Sequence, residues 1–531
     1  MKYDLLIKNG LVVSGEKECC CRRADVAILG GRIAAVGKLA EDWAGEVIDA
    51  DGLAVCPGFI DGHAHSEISV WQSPDCLAKA SQGITTELAG QCGISAYPVL
   101  PGREELIEDY TGTVLGKSAK RWPWGSLAEY REELRREGTA INQGAFIGHG
   151  NLRINAMGFA DREPSGEELR RMREQLSAEL SDGAFGMSSG LVYPPGLFSR
   201  PQELTELARV CAAAGGIYTT HMRNEGNRLL EAVEEAIGVA EASGVQLVIS
   251  HLKASGKPNH GKVKKALEMI EAAAGRGVRV NADCYPYDAA STTMTIILPP
   301  WIMTGGIEGL VESLKDREKR RRVARDLREG LPDWDNRVTN LGYDRISIAS
   351  VASEKNKGLE GLSLLDAARR KEKEPGEFIL DLLLEERGQV SAVLRGMSEE
   401  DVKTALASPR IMVCTDGVPV GGKPHPRLYG AFTRYLSRYA DLSSAEGLAS
   451  AIYKLTAFPA EVYGLRDLGR LLPGYWADIT IFDPARVRDQ ATFMEPERLS
   501  EGIEWVIVGG QTVIRQKRPT GRRPGRFLRR G

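Results

Sequence analysis

Two histidines separated by one residue, His63 and His65, end the apolar segment PGFIDGHAH, which begins with a Pro-Gly turn. On a strand, residues i and i+2 face the same way, so both imidazoles would project from one side of the chain. Paired imidazoles are ligands of Zn²⁺ and related ions. An isolated H-x-H strand is more often structural, however, so a metal site requires further ligands elsewhere in the chain.

Further candidate ligands follow other apolar runs. Cys92 lies between glycines in GITTELAGQCG, and His221 and His251 end GIYTTH and VQLVISH. Six of the seven histidines lie at predicted strand ends or tight turns, and His260 is the exception. Zn²⁺ accepts mixed Cys and His ligands and can keep one position open for water, whose pKa it lowers toward about 7. A carboxylate must then accept the proton of that water, and Asp416 in RIMVCTDG is placed to do so.

The elements that would position these side chains are short apolar runs alternating with amphipathic helices. Eight repeats of this βα pattern predict an α/β fold, a TIM-like (β/α)8 barrel. Barrel enzymes carry their chemistry where the strands end, and the candidate residues occupy those positions. The predicted strands are 58–65, 83–93, 142–151, 183–191, 216–223, 245–253, 278–287 and 410–417.

The two ends of the chain have a different pattern, with short β-branched runs between Gly, Asn and Asp turns. They predict a small β-sandwich built from residues 1–56 and 468–531, around a barrel at 57–467. The dipeptides Asn9-Gly10 and Gly509-Gly510 predict hairpins. About 120 residues separate the seventh and eighth strands, which predicts a lid-like insertion at about 300–405 on the active-site face.

The overall composition excludes several classes of protein. The 531 residues are 42% hydrophobic and 27% charged, which is typical of a globular enzyme and not of a disordered chain. A net charge of −3 implies no attraction to nucleic acid. The basic end, RQKRPTGRRPGRFLRRG, is interpreted as a solvated tail along an acidic surface rather than as a nucleic-acid or membrane anchor.

Localisation is predicted from what the chain lacks. The first residues show no signal-peptide pattern, and no apolar run reaches the roughly 18 residues of a membrane helix. The nine scattered cysteines are typical of reduced thiols, which favours the cytoplasm. The expected partner is therefore a small molecule, without nucleic acid or membrane.

The order of several motifs resembles the D-aminoacylase (N-acyl-D-amino-acid deacylase) family of the amidohydrolase superfamily over nearly the whole chain. These motifs are GFIDGHAH, GITTELAGQCGIS, SSGLVYPPG, THMRNE, SHLK, DCYPYDAAST, CTDG and HPRLYGAF. The resemblance implies a zinc ion held tightly by Cys92, His221 and His251, and catalysis by Asp416. It also implies a second, weaker metal position at His63 and His65.

Two features distinguish this chain from other members of the superfamily. Hydantoinases and dihydroorotases are similar barrels that use a carboxylated lysine on strand four, whereas GAFGMSSGL has no lysine. Many relatives follow H-x-H with aspartate, whereas Ser66 follows it here. Ser66 in place of aspartate bears on whether the second metal position is occupied, and it does not affect the main zinc position.

The implied reaction is zinc-dependent hydrolysis of an N-acyl-D-amino acid to a carboxylate and a free D-amino acid. Lys253, two residues beyond His251 and on the same face, is the best cation for the substrate α-carboxylate. By resemblance, Tyr285 and Ser291 join it, and Tyr193 in SSGLVYPPG is a further candidate. Arg427 in HPRLYG is another candidate for binding the substrate, and its alternative role is a loop salt bridge. For His149, a possible catalytic residue, the alternative is a turn-capping imidazole.

Substrate preference is predicted from the loop after YPY. Relatives selective for D-glutamate are expected to carry an arginine there, and residues 288–301 contain no basic residue. Met294, Ile296, Ile297 and Leu298 would instead suit an apolar D-side chain. Two alternatives stay open: a cyclic amidase of the hydantoinase type, and a non-catalytic scaffold on an amidohydrolase barrel.

Overall fold

The computed structural model describes residues 3–17, 21–39, 44–116, 118, 120–332 and 334–530. Strands and helices are numbered along the chain within these residues. The strands are β1 (Tyr3–Val13), β2 (Cys21–Leu29), β3 (Arg32–Gly37), β4 (Ala44–Asp49), β5 (Ala54–Pro57), β6 (Phe59–Asp61), β7 (Ile84–Ala89), β8 (Asn142–Gly148), β9 (Gly186–Gly190), β10 (Ile217–His221), β11 (Gln246–Ile249), β12 (Val280–Cys284), β13 (Ala290–Thr293), β14 (Ile346–Val351), β15 (Val390–Leu394), β16 (Ile411–Val413), β17 (Ile479–Phe482), β18 (Ile503–Val508), β19 (Gln511–Arg515) and β20 (Arg518–Pro519).

The helices pack outside the strands or belong to the insertion. They are α1 (Glu67–Gln72), α2 (Leu77–Ala80), α3 (Glu104–Leu115), α4 (Leu127–Glu137), α5 (His149–Met157), α6 (Gly166–Ser181), α7 (Pro201–Ala213), α8 (Leu229–Ser243), α9 (Lys262–Gly275), α10 (Gly306–Lys315), α11 (Arg317–Glu329), α12 (Arg337–Leu341), α13 (Leu364–Arg370), α14 (Pro375–Glu385), α15 (Glu399–Ala407), α16 (Arg427–Arg438), α17 (Ala445–Leu455) and α18 (Ala457–Tyr463). No helix of the described chain has both the length and the apolar composition needed to cross a membrane.

The predicted (β/α)8 barrel is confirmed. Strands β6 to β12 and β16 form one parallel sheet in the order β16-β12-β11-β10-β9-β8-β7-β6. The sheet closes where the first and last strands end: Ala64 bridges Gly417, and the backbone N–H of Asp416 donates to the carbonyl of His63 at 3.0 Å. The ends of the eight strands therefore lie together at one mouth of the barrel.

Both ends of the chain contribute to a single nine-stranded sheet in which β5 and β17 pair antiparallel. This sheet has its own apolar core, which includes Ile7, Val26 and Ile481. The hairpin predicted at Asn9-Gly10 is wrong, because β1 continues through it with a register shift between Ile7 and Gly10. Asn9 adopts a left-handed φ of 62°, which asparagine tolerates, so the strand bulges there instead of turning.

The insertion is a small unit on the barrel mouth. Strands β13, β15 and β14 form a three-stranded sheet, and helices α10 to α14 pack with it around a second apolar core. Compared with the expected bounds of 300–405, β13 already begins at Ala290, and α15 packs back on α9 and β12 of the barrel.

The basic C-terminal segment is a solvated tail only in part: residues 515–523 are exposed, whereas residues 524–530 are mostly half-buried against the barrel. Its backbone pairs with the start of β8 and the chain before it, since Gly525 N–H donates to the carbonyl of Thr139 at 2.7 Å and Leu528 N–H donates to that of Gln143 at 2.6 Å. Leu528 packs on the apolar interior of the barrel, and Arg526 pairs with Asp478 at 3.2 Å. Apolar residues and backbone pairing, rather than charge alone, hold this segment.

Candidate metal centre and substrate pocket

Four metal-ligating side chains meet at the barrel mouth. One donor atom each of His63, Cys92, His251 and Asp416 lies within 4.8 Å of the other three, and all four residues are buried. The Sγ of Cys92 is 3.3 Å from Nε2 of His63 and 3.3 Å from Nε2 of His251. His65 joins the group through Asp416, whose Oδ1 is 3.1 Å from His65 Nε2. Cys92 therefore stands between the two predicted histidine sets.

The backbone at these positions is unusual. Cys92, His251 and Asp416 have left-handed φ values of 57°, 38° and 46°. Such angles are rare for residues other than glycine and cluster at functional sites. Each of the three follows its barrel strand by two or three residues, where the chain turns sharply into a loop. Gly190 is required beside this turn, because a Cβ there would overlap the carbonyl oxygen of Cys92.

His63 and His65 also lie beyond their strand, since β6 ends at Asp61. Their rings are 5.3 Å apart between centroids and steeply inclined, so both reach the donor group from the loop. Asp283 of β12 contacts His63 and His251: its Oδ2 is 3.3 Å from His63 Nδ1, and its Oδ1 accepts from the His251 N–H at 2.6 Å. Both imidazoles therefore lie at the barrel mouth as predicted, but they project from a loop and not from one face of a strand.

A second group lies beside the first. His221, Glu225 and His251 form a possible metal-binding set, with Glu225 Oε2 at 3.5 Å from His221 Nε2 and Oε1 at 3.1 Å from His251 Nδ1. Lys253 pairs with the same carboxylate and lies 2.6 Å from His251 Nδ1. Burial alone would raise the pKa of the Glu225 carboxyl, but His221, Lys253 and His251 hold it well below its ordinary value. Sequence reasoning missed Glu225, although it follows His221 by four residues in THMRNE.

Arg427 pairs with Asp416 itself. Its Nη1 is 2.8 Å from Asp416 Oδ2, and both side chains are buried. Burial alone would raise the pKa of the Asp416 carboxyl, but Arg427 and the neighbouring imidazoles hold it well below its ordinary value. Arg427 therefore forms a salt bridge, and its partner is the candidate catalytic residue Asp416. This pairing favours the ionised form of the Asp416 carboxyl.

The donor chemistry fits a thiophilic cation such as zinc. Burial alone would raise the pKa of the Cys92 thiol, but His63 and His251 hold it well below its ordinary value, so the thiolate is favoured. Nδ1 of His221 and Nδ1 of His65 are buried and have no hydrogen-bond partner among the described residues. Buried polar atoms normally have partners. A thiolate, several imidazoles and a carboxylate in one buried group match the ligand set of Zn²⁺.

The remaining substrate-binding candidates line one pocket of about 550 Å³, which we call the site pocket. The donor residues His65, Cys92, His221, Glu225, His251 and Asp416 also line it, whereas His63 lies behind them. Tyr193, Lys253, Tyr285 and Ser291 all line it. The Oγ of Ser291 is buried and has no hydrogen-bond partner in the described structure, so it is available to a ligand. The Tyr285 ring lies under Arg427, 4.4 Å from the guanidinium carbon, and 5.7 Å from Lys253 Nζ. Arg427 does not line the site pocket, and it contacts Asp416 from behind the pocket wall.

The apolar residues predicted to contact the substrate are mostly elsewhere. Met294 and Ile297 are fully buried in the core of the insertion, and Leu298 faces a neighbouring cleft. Of the four, only Ile296 lines the site pocket. Met294, Ile297 and Leu298 pack into the apolar core of the insertion, so they do not line the site pocket. The apolar wall of the site pocket comes instead from Ile94, Val114, Ile296, Leu394 and Val418.

Arg337 is a pocket residue that sequence reasoning missed. It begins α12 in the insertion, is 4% exposed and lines the site pocket. Its guanidinium is 3.5 Å from Asp335 Oδ2 and 3.9 Å from Glu225 Oε2. Its charge is therefore already compensated by two carboxylates. No local motif marks it, because it reaches the pocket only through the fold of the insertion.

Two other residues singled out in the sequence lie outside the donor groups. His149 begins α5 and places Nε2 at 2.7 Å from Glu203, which also pairs with Arg153. This buried cluster gives His149 a structural partner. Ser66 donates to Glu87 Oε1 at 2.6 Å, and Glu87 pairs with Lys79. Ser66 thus ties the loop that carries His63 and His65 to Glu87 on strand β7.

Comparison with known proteins agrees with this geometry. The chain belongs to the amidohydrolase family, whose model matches residues 46–293 and 363–514. An N-acyl-D-glutamate deacylase of Alcaligenes xylosoxydans xylosoxydans is 37% identical, over 100% of this chain and 97% of that protein. A D-aminoacylase of the same organism is 34% identical, over 99% and 98%. A crystal structure of N-acyl-D-glutamate deacylase from Bordetella bronchiseptica, complexed with zinc and a phosphonate mimic of the tetrahedral intermediate, superposes with a TM-score of 0.85 at 34% identity, covering 100% of both chains.

Proposed function

We propose that the protein is a zinc-dependent amidohydrolase that cleaves N-acyl-D-amino acids to a carboxylate and a free D-amino acid. The observation that carries this proposal is the composition of the site pocket. It holds Cys92, His251 and the ionised Asp416 together with the candidate carboxylate anchors Lys253 and Ser291. The match over the full length to deacylases of N-acyl-D-amino acids supports the same reaction.

Cys92, His221 and His251 would hold the tight zinc, and His63 and His65 would hold a second, weaker metal position on the other side of Cys92. Zinc, when bound, supplies a Lewis acid that polarises the amide carbonyl and favours deprotonation of water. The 3.3 Å spacing from Cys92 Sγ to both His63 and His251 allows the thiolate to serve either position.

Asp416 is proposed to move the protons of the reaction. As a carboxylate it accepts a proton from the attacking water, and it then delivers that proton to the leaving nitrogen as the C–N bond breaks. The overall step adds one water, with oxygen to the acyl carbon and hydrogen to the amine. Arg427 at 2.8 Å keeps Asp416 charged and limits its rotation.

The α-carboxylate of the substrate needs a cation and a hydrogen-bond donor. Lys253, which also pairs with Glu225, supplies the charge, and the unpartnered Ser291 Oγ supplies a donor on strand β13. Tyr285, between Lys253 and Arg427, fixes the direction of both cations. Tyr193, whose hydroxyl bonds Thr292 at 2.8 Å, forms the wall beside His221.

We expect the protein to hydrolyse a linear amide and not a cyclic one, and four compounds test this. N-acetyl-D-methionine should be hydrolysed, whereas N-acetyl-L-methionine, hydantoin and dihydroorotate should not. Strand β9 carries GMSSG without the lysine expected of cyclic amidases, which favours the linear reaction. Release of the free amino acid measures the first two, and ring opening measures the last two. Turnover of the cyclic compounds alone would establish the alternative, and no turnover by zinc-loaded protein would favour a scaffold.

We propose a preference for an apolar D-side chain, which would contact Ile296, Leu394 and Val418 of the site pocket rather than the core of the insertion. We expect kcat/KM for N-acetyl-D-Leu, D-Met and D-Phe to exceed that for D-Glu and D-Asp by about tenfold or more, because an added carboxylate would be buried near Glu225. The neighbouring guanidinium of Arg337 supports the competing preference for D-glutamate, since it could pair with that carboxylate.

The variant Arg337→Met separates these preferences. If Arg337 serves Glu225 and Asp335, the order of the five substrates is unchanged in the variant. If it binds the substrate, the native enzyme prefers D-Glu and the variant loses that preference, which would contradict the apolar assignment. The cytoplasmic location favoured by the cysteines stays a prediction.

A further inference from the structure

A second cavity opens beside the site pocket, beneath the insertion. This insertion cavity has a volume of about 470 Å³ and is lined by Tyr110, Val114, Phe159, Tyr193, Met303 and Ile307, among others. Ile94, Val114 and Tyr193 line both spaces, so the two adjoin at these side chains.

The walls of the insertion cavity suit an apolar occupant. The hydroxyl of Tyr110 donates to the carbonyl of Gly93 at 3.2 Å, and that of Tyr193 bonds Thr292 at 2.8 Å. Thr293 and Thr295 bond each other at 3.0 Å. Because these polar groups already have partners, an apolar ligand would leave none of them without a hydrogen bond. Asp109 is the one charged residue in the described lining, and it disfavours an anionic occupant.

The position of the cavity identifies which end of the substrate can enter it. The scissile amide must lie at the donor groups, and the proposed carboxylate anchors are Lys253, Tyr285 and Ser291. None of these anchors lines the insertion cavity in the described structure. The shared residue Ile94 instead follows Cys92 by two positions, on the metal side of the site pocket. The group that extends from the amide carbon past Cys92 is the acyl chain.

We propose that the insertion cavity binds the acyl chain of the substrate, and that the preferred substrates are N-acyl-D-amino acids with unbranched apolar acyl groups longer than acetyl. This inference rests on the proposed function. It adds a separate recognition site for the acyl half of the molecule, formed jointly by α3, the loop after β7 and the insertion.

The test is a series of acetyl, butanoyl, hexanoyl and octanoyl derivatives of one D-amino acid. In the native enzyme kcat/KM should rise about three- to fourfold per methylene until the cavity is filled. A succinyl derivative should lie well below butanoyl, because its second carboxylate would enter an apolar space near Asp109. A series that is flat from acetyl to octanoyl would overturn the proposal.

Two tryptophan variants locate the effect. Ile307→Trp narrows the insertion cavity and should bring the octanoyl-to-acetyl ratio of kcat/KM close to one. Leu197→Trp is the matched control, since Leu197 lines the neighbouring cleft with Val192, Leu298 and Trp334 but not the insertion cavity. It should keep the native ratio. Ile307→Phe provides a smaller change if the tryptophan variant does not fold.

The outcomes separate the two proposals. Loss of the ratio in Leu197→Trp with retention in Ile307→Trp would place the acyl chain in the cleft and contradict the insertion cavity. Hydrolysis of N-acetyl-D substrates without a chain-length effect would sink the inference and leave the proposed function standing. Absence of hydrolysis for every N-acyl-D-amino acid, with zinc bound, would instead sink the proposed function.

Discussion

Asp416→Asn is expected to lower kcat for N-acetyl-D-methionine by about 10²–10⁴-fold, the usual contribution of a positioned acid–base group. The amide keeps the shape of the carboxylate but cannot accept the proton of the attacking water or return it to the leaving amine. It also loses the ion pair with Arg427 at 2.8 Å. Steady-state kinetics with the zinc-loaded variant measures the effect.

Zinc content must be determined in the same preparation, because Asp416 belongs to the donor group with His63, Cys92 and His251. The expected result is a zinc content close to that of the native enzyme with a greatly reduced kcat. A kcat within about tenfold of native would show that another group performs the proton transfers. Asp283, which hydrogen-bonds the His251 backbone, would then be the next carboxylate to consider.

Cys92→Ser is expected to weaken zinc binding by more than about 100-fold, since loss of an outer-shell partner alone costs about 10–100-fold. The thiolate is the residue common to both predicted metal positions, with Sγ 3.3 Å from a histidine of each. A serine hydroxyl is a much poorer ligand at neutral pH. Hydrolysis should be lost together with the metal, and competition with a chromophoric chelator measures the affinity.

Cys211→Ser is the matched control for this variant. Cys211 is also a fully buried thiol, but it lies on the outer helix α7, and burial raises its pKa to about 12 instead of favouring the thiolate. Its replacement should leave zinc affinity unchanged. Equal loss of zinc in both variants would point to a general loss of structure, and retention of zinc by Cys92→Ser would contradict the role of Cys92.

The barrel and its donor residues could be predicted because their signals are local. Each strand is a short apolar run, and Cys92, His221, His251 and Asp416 follow those runs directly in the sequence. Once eight βα repeats are recognised, the geometry of a barrel brings all the strand ends together. The absence of a lysine from GAFGMSSGL then separated this chain from barrels that use a strand-four lysine.

The features that could not be predicted depend on long-range packing. Arg337 reaches the site pocket only because the insertion folds over the barrel mouth, and nothing near it in sequence indicates this. Met294 and Ile297 were assigned to the substrate because they are apolar and close to YPY, but the insertion needs them for its own core. Phe527 and Leu528 likewise tie the basic C-terminal segment to the barrel, which its charge alone would not suggest.

The most direct test of the central claim is a zinc titration of metal-free protein, assayed with N-acetyl-D-methionine and N-acetyl-L-methionine in parallel. We expect no hydrolysis without metal and a rise in D-substrate hydrolysis that saturates as the tight site at Cys92, His221 and His251 fills. The L-substrate should stay unreactive throughout. Full activity in metal-free protein, or preference for the L-substrate, would contradict the assignment.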